Sequence, residues 1–250
     1  MVSAPVLIGT AGWTLPRDQQ ARFPGEGTHL QRYATRFPAA EINSTFYRSH
    51  RATTWARWAE SVPDGFRFSA KLPRTITHTA KLVDADAALD TFVAEVGTLG
   101  SRLGCVLVQL PPSLAFDPAV AGAFFGALRE RYDGEAACEP RHTSWFTPEA
   151  DALLADASVA RVAADPVRAP GADEPGGWRG MAYFRLHGSP RMYYSSYTPE
   201  YLDALTARIA DARRRGPVWC IFDNTTLGAA AANALDLLER LGVPATEDAR

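Results

Sequence analysis

The sequence predicts an α/β fold, a TIM (β/α)₈ barrel on one closed parallel sheet, and three observations carry that expectation. Short apolar or β-branched runs alternate with longer segments whose apolar residues recur three and four positions apart, the pattern of strands feeding crossover helices. Eight such units can be laid along the chain. At 250 residues it has the length over which eight units close. An open doubly wound sheet shares the periodicity, so unit number and length decide between the two.

The strands are expected at Val6 to Thr10, Ala40 to Asn43, Phe66 to Lys71, Cys105 to Leu110, Ala136 to Glu139, Val159 to Ala164, Ala182 to His187 and Val218 to Phe222. Helical periodicity is clearest at Asp84 to Leu99, Ala119 to Arg131, Pro148 to Asp156, Pro199 to Arg214 and Gly228 to Leu241. Thr147 before Pro148 and Thr198 before Pro199 each set a capping hydroxyl ahead of a first-turn proline. The Pro- and Gly-rich stretch from Pro166 to Gly180 reads as a long loop without a regular helix.

A composition of 46% hydrophobic and 22% charged residues suits one large core. No internal repeat, low-complexity tract or charge block divides the chain, so residues 1–250 read as one domain. Met1 to Pro5 lacks a signal-peptide pattern and no later run is apolar enough for a membrane span, so a cytoplasmic location with no membrane partner is expected. A net charge of -2 argues against a generally basic surface for duplex nucleic acid, though not against a local basic pocket. Among 26 Lys and Arg residues only Lys71 and Lys81 are lysines. Cys105, Cys138 and Cys220 sit in apolar runs at no metal spacing and are expected to be reduced and buried.

In a barrel of this kind chemistry gathers at the C-terminal strand ends. Those ends carry Glu41 and Asn43, Lys71, Gln109, Glu139 and Arg141, Arg185 and His187, and Asp223 and Asn224. A charge abutting an apolar strand is costly unless paired, so Glu41, Lys71, Glu139, Arg185 and His187 are expected to converge on one cavity.

The segments Ile8 to Trp13, Glu41 to Tyr47, Phe66 to Lys71, Gln109 to Ser113, Glu139 to Trp145, Arg185 to Gly188 and Phe222 to Thr225 hold these residues. In this order, and nearly end to end, they resemble the YecE-like family, domain of unknown function 72. The resemblance implies a TIM barrel and no established activity.

Glu139 precedes Pro140, which keeps it extended and aims its carboxylate forward. It is the candidate general acid or base, with a structural clamp on Arg141 or Arg185 as the equal alternative. Lys71 is a candidate for anion binding, for polarising a carbonyl or for nucleophilic attack. Arg185 and His187, two apart on one strand, face the same side and suit a phosphate or carboxylate. The turn from Asp223 to Gly228 leads into a helix whose N–H groups offer a further anion site, or simply an N-cap at Thr225 or Thr226. Tyr47 and Trp145, with Trp13 and the pair Tyr193 and Tyr194, are candidate aromatic walls.

Of five histidines only His142 and His187 lie near expected strand ends, so no zinc cluster and no cofactor is expected. One Mg²⁺ or Mn²⁺ on Glu41, Glu139 or Asp223 stays open. There is no glycine-rich nucleotide fingerprint and no serine nucleophile elbow. The expected function is acid–base catalysis, as a hydrolase or lyase, on a small anionic ligand such as phosphate or a phosphoester. Glu139, Lys71 and His187 would act, and Glu41, Asn43, Tyr47, Gln109, Arg141, Trp145, Arg185, Asp223 and Asn224 would bind. A protein that binds or processes nucleic acid, and a metabolite-binding module without turnover, are the alternatives.

Overall fold

The computed structural model describes residues 4–243. Its strands are β1 (Val6–Thr10), β2 (Ala39–Ile42), β3 (Arg67–Lys71), β4 (Leu103–Gln109), β5 (Glu135–Glu139), β6 (Val159–Arg161), β7 (Ala163–Asp165), β8 (Gly176–Gly177), β9 (Ala182–Leu186) and β10 (Val218–Phe222). Between them lie α1 (His29–Ala34), α2 (Ala52–Glu60), α3 (Asp86–Gly97), α4 (Pro118–Arg131), α5 (Pro148–Asp156), α6 (Pro199–Ala212) and α7 (Ala229–Leu241). All eight expected strand regions are present, and the sixth is divided between β6 and β7. Thr147 and Thr198 cap α5 and α6 as expected, accepting from Ala150 N and Tyr201 N at 3.3 Å each. Helix α7 instead starts from Gly228 at φ +82, without a side-chain cap, so the expected Thr225 or Thr226 N-cap is not used.

The ladders correct one part of the expected architecture. In place of one closed parallel sheet they form a four-stranded parallel sheet, β1-β10-β9-β7, and a six-stranded mixed sheet, β2-β3-β4-β5-β6-β8, in which only β8 is antiparallel. At one seam β1 and β2 meet through the bridge of Ala11 with Glu41, and Gly12 N donates to Glu41 O at 2.8 Å. At the other, a single stretch of chain changes partner at Val162: β6 pairs with β5, and β7 with β9. Neither seam sustains a ladder, which divides the sheet there. The loop between β7 and β9 contains no helix, in line with its Pro and Gly content.

Side chains on a strand alternate between its faces. One face packs on the helices in a large cluster that includes Ile8, Ile42, Phe68, Val108, Phe184 and Phe222. The other holds a smaller cluster, with Leu7, Ala39, Leu107, Ala137, Tyr183 and Ile221. Cys105, Cys138 and Cys220 are free and buried. Among the described residues no helix is long and apolar enough to cross a membrane.

Candidate functional site

The same alternation that builds the smaller cluster delivers the polar groups. Ala39 is followed two residues on by Glu41, Ala137 by Glu139, Tyr183 by Arg185 and then His187, and Ile221 by Asp223. On β3, Ser69 is followed by Lys71. Parallel register then levels them, setting Glu41 beside Ser69, Gln109 beside Glu139 and Arg185 beside Ile221. The apolar cluster thus gives way to an ionic layer toward the C-terminal strand ends.

Arg185 lies at the centre, fully buried. Its Nε donates to Glu41 Oε2 at 2.9 Å and its Nη2 to Glu41 Oε1 at 2.7 Å. Nη1 donates to Glu139 Oε2 at 2.9 Å, and Nη2 also lies 2.9 Å from Asp223 Oδ2. Desolvation opposes a buried charge, but three carboxylates hold the Arg185 pKa well above its ordinary value. The Tyr183 hydroxyl donates to Glu41 Oε2 at 3.1 Å and lies 3.0 Å from Ser69 Oγ, completing a sealed floor.

Above that floor stand His187, Arg141, Asp223 and Lys71. His187 Nε2 is 3.0 Å from Glu139 Oε1 and its Nδ1 is 3.0 Å from Asp223 Oδ2, so each ring nitrogen faces a carboxylate. Arg141 Nε donates to Glu139 Oε1 at 2.9 Å, and Arg141 Nη1 reaches the Tyr193 hydroxyl at 3.5 Å. Burial alone would raise the Glu139 carboxyl, but Arg141, His187 and Arg185 outweigh it and hold the group well below the usual carboxylate range. Asp223 is lowered in the same way, Arg185 and His187 overcoming burial. Lys71 Nζ donates to Asn43 Oδ1 at 3.1 Å and sits 4.1 Å above the Phe46 ring centroid. Burial, then the Arg185 charge, pull the Lys71 pKa down to about 8 against Glu41, Glu139 and Asp223.

The structure therefore brings together Glu41, Lys71, Glu139, Arg185, His187, Arg141, Asp223 and Asn43, with Gln109 buried on the same face. It places three expected ligand-binding residues elsewhere. Trp145 is 1% exposed, donates from Nε1 to the Leu114 carbonyl at 3.0 Å and packs edge-on against Phe116. Asn224 follows Asp223 by one residue and so faces away, its Nδ2 bonding Ser195 O at 2.9 Å and Asn233 Oδ1 at 3.0 Å. Tyr47 is 71% exposed and lines a cavity of about 370 Å³ with Phe46, Arg48 and Arg74. Sequence reasoning missed Tyr183 and Ser69, although both share the period of two with Arg185 and Lys71. It also missed Phe46, the seat of the Lys71 ammonium.

The turn before α7 opens on a cavity of about 180 Å³ lined by Thr10, Gly12, Thr14, Thr225 and Gly228 among others, and among the described residues no cationic side chain lines it. The three carboxylates weighed for a divalent cation each contact Arg185. Among the described residues no group of three or more His, Cys, Asp or Glu side chains is arranged to hold a metal ion.

The model of the family described as "Protein of unknown function DUF72" matches residues 7–249. The UPF0759 protein YecE of Escherichia coli K12 is 32% identical over 143 residues, covering 56% of this chain and 50% of its own. The UPF0759 protein YunF of Bacillus subtilis is 26% identical over 152 residues, covering 57% and 53%. The chain thus spans about half the length of the curated relatives it matches. The crystal structure of a DUF72 family protein from Thermotoga maritima superposes with a TM-score of 0.78 at 26% identity, over 95% of this chain and 99% of that one.

Proposed function

Because this chain belongs to the DUF72 family, described as proteins of unknown function, we propose its function from geometry: an enzyme that moves protons on an anionic, phosphate-bearing substrate, by hydrolytic or lyase chemistry. One observation carries the proposal. His187 is bracketed by Glu139 and Asp223 at 3.0 Å on either side, beside two cations that reach toward the strand ends, Lys71 and Arg141. An imidazole held in this way accepts or releases a proton without changing place. Lys71 and Arg141 would hold the anion.

The geometry shifts the role given to Glu139. Its two oxygens accept from Arg141, His187 and Arg185, and it stays ionised, so it positions His187 rather than donating a proton itself. The two sheets are read here as halves of one (β/α)₈ barrel. The close approach of Gly9 to Ala39, the Ala11 bridge to Glu41 and the shared stretch at Val162 support that reading.

A collection of anionic metabolites, including phosphomonoesters, tests the proposal through thermal shift followed by turnover assays. With the substrate found, His187→Gln should lower kcat by roughly 10²-fold or more while leaving the fold intact. Glu139→Gln should displace the pH profile of the remaining activity, which a purely structural carboxylate would not do. Full activity in His187→Gln would refute the assignment. A metabolite-binding module without turnover is the second reading, favoured by enclosure, since Glu41, Glu139, Arg185 and His187 are each at most 2% exposed. Stoichiometric binding without product would mark it.

A further inference from the structure

Outside the carboxylate-clamped layer lies a second group of cations. The Phe46 ring carries the Lys71 ammonium on one face, 4.1 Å from its centroid, and meets the His78 ring edge-on at 4.8 Å between centroids and 81° between planes. His78 stands in the π-helical turn Thr75–Thr79, whose wider winding marks functional segments more often than chance. Its Nδ1 is 2.9 Å from the Thr77 hydroxyl, and among the described residues Nε2 has no hydrogen-bond partner. Arg74 opens the same turn, is exposed, and its side chain forms no ion pair or hydrogen bond with a described residue.

The charges around His78 are cationic. Burial first, then Lys71 at the end of β3, Arg141 from the loop after β5 and Arg74 on its own turn press its pKa below the ordinary histidine value. Elsewhere the arginines Arg22, Arg102, Arg131, Arg161, Arg208 and Arg240 each meet a carboxylate. The Arg74 side chain has no such partner, and the charges acting on His78 are all cationic, so an anion arriving beside them relieves repulsion. Arg74 and Phe46 also line the cavity of about 370 Å³, whose wall includes Tyr47, Pro73 and Phe92.

We propose that Lys71 and His78, which meet on the Phe46 ring, and Arg74, which shares a cavity wall with Phe46, form a phosphate subsite for a phosphomonoester whose organic group extends into the adjoining cavity. The proposal rests on the reading of the strand ends as an anion site and says where the anion is held. Guanidinium and ammonium supply charge-assisted donors, and His78 Nε2 becomes a third once protonated. The walls of Phe46, Tyr47, Pro73 and Phe92 suit an apolar or planar group.

Calorimetric titration of the full chain with inorganic phosphate, phenyl phosphate and sulfate tests this. Phenyl phosphate should bind more tightly than phosphate. Sulfate does not titrate near neutral pH, so in buffers of different ionisation enthalpy it should reveal proton uptake as His78 regains its proton. Arg74→Gln and His78→Gln, both outside the buried ion pairs, should each weaken phosphate roughly tenfold, and at about pH 6, where Lys71 is already protonated, His78→Gln should abolish the proton uptake on sulfate binding. Binding lost in Lys71→Met yet unchanged in Arg74→Gln and His78→Gln would overturn this subsite and leave the anion reading of the strand ends intact. No binding of any probe at millimolar concentration would overturn both.

Discussion

Arg185 and Glu41 meet as a fork on a fork, two parallel N–H to oxygen bonds of 2.9 and 2.7 Å between side chains that are both fully buried. The pair joins β9 to β2, strands of different sheets, so it ties the two ladders together through side chains. Removing the guanidinium would strand Glu41, Glu139 and Asp223 without their shared counter-charge. Arg185→Met should therefore cost about 3–5 kcal/mol. Arg185→Lys keeps the charge without the fork and should lie between Arg185→Met and wild type. Urea unfolding at neutral pH checks both. A loss under about 1 kcal/mol for Arg185→Met, the worth of an exposed pair, would contradict the buried network.

The seam between the sheets makes its own prediction. A Cβ added at Gly9 would run into the Ala39 carbonyl oxygen and come within 2.9 Å of the Tyr33 hydroxyl. Backbone on a paired strand cannot swing aside, so Gly9→Ala should destabilise by about 2–3 kcal/mol or more. Gly65→Ala, where nothing lies within 4 Å, is the matched control. Similar melting temperatures for the two variants would show that β1 and β2 are not so closely set.

Much of the site was legible because a period of two is a local property. Once Ala137, Tyr183 and Ile221 read as apolar strand positions, Glu139, Arg185 and Asp223 two residues on had to share their face. The same rule separates Asp223 from Asn224, and grouping both as ligands ignored that single step. Trp145 was misplaced for a different reason. It lies in a short 3₁₀ turn, Thr143–Trp145, where strand parity no longer says which way a ring points. The meeting of Lys71, Phe46 and His78 depends on two turns from separate loops, and no spacing in the sequence encodes it. The divided sheet was equally out of reach, since a parallel strand reads alike whether its ladder continues or stops.

Lys71 offers a chemical test of its surroundings. Only Lys71 and Lys81 carry side-chain amines, so labelling by a small acylating reagent can be resolved by peptide mass. Burial and the Arg185 charge bring Lys71 down to about 8, so its reaction rate should rise to half-maximum near that pH. A midpoint near the ordinary lysine value of about 10.4 would show that neither effect operates. In Glu139→Gln a carboxylate that supports the ammonium is gone, and the midpoint should move lower still.

Acid should unfold the protein through the clamped carboxylates. Burial works to raise Glu139 and Asp223, but the cations around them win and hold both below the ordinary carboxylate range. A folded-state pKa below the unfolded one contributes stability that is fully present above the unfolded value, about 4.3 for Glu and 3.9 for Asp. That contribution drains away as pH falls through the folded value. These two groups should therefore leave stability level from about pH 7 to 5 and lower it steeply below about pH 4. Glu139→Gln cannot titrate at this position. It should be less stable than wild type at neutral pH, because Arg141, Arg185 and His187 lose a charged acceptor. For the same reason it should lose less on acidification, so the two stability curves converge toward about pH 2. Urea unfolding of both proteins at intervals between neutral and acid pH measures the slopes. Parallel curves would mean that Glu139 is not held ionised by its three donors, and the clamp assigned to it would fall.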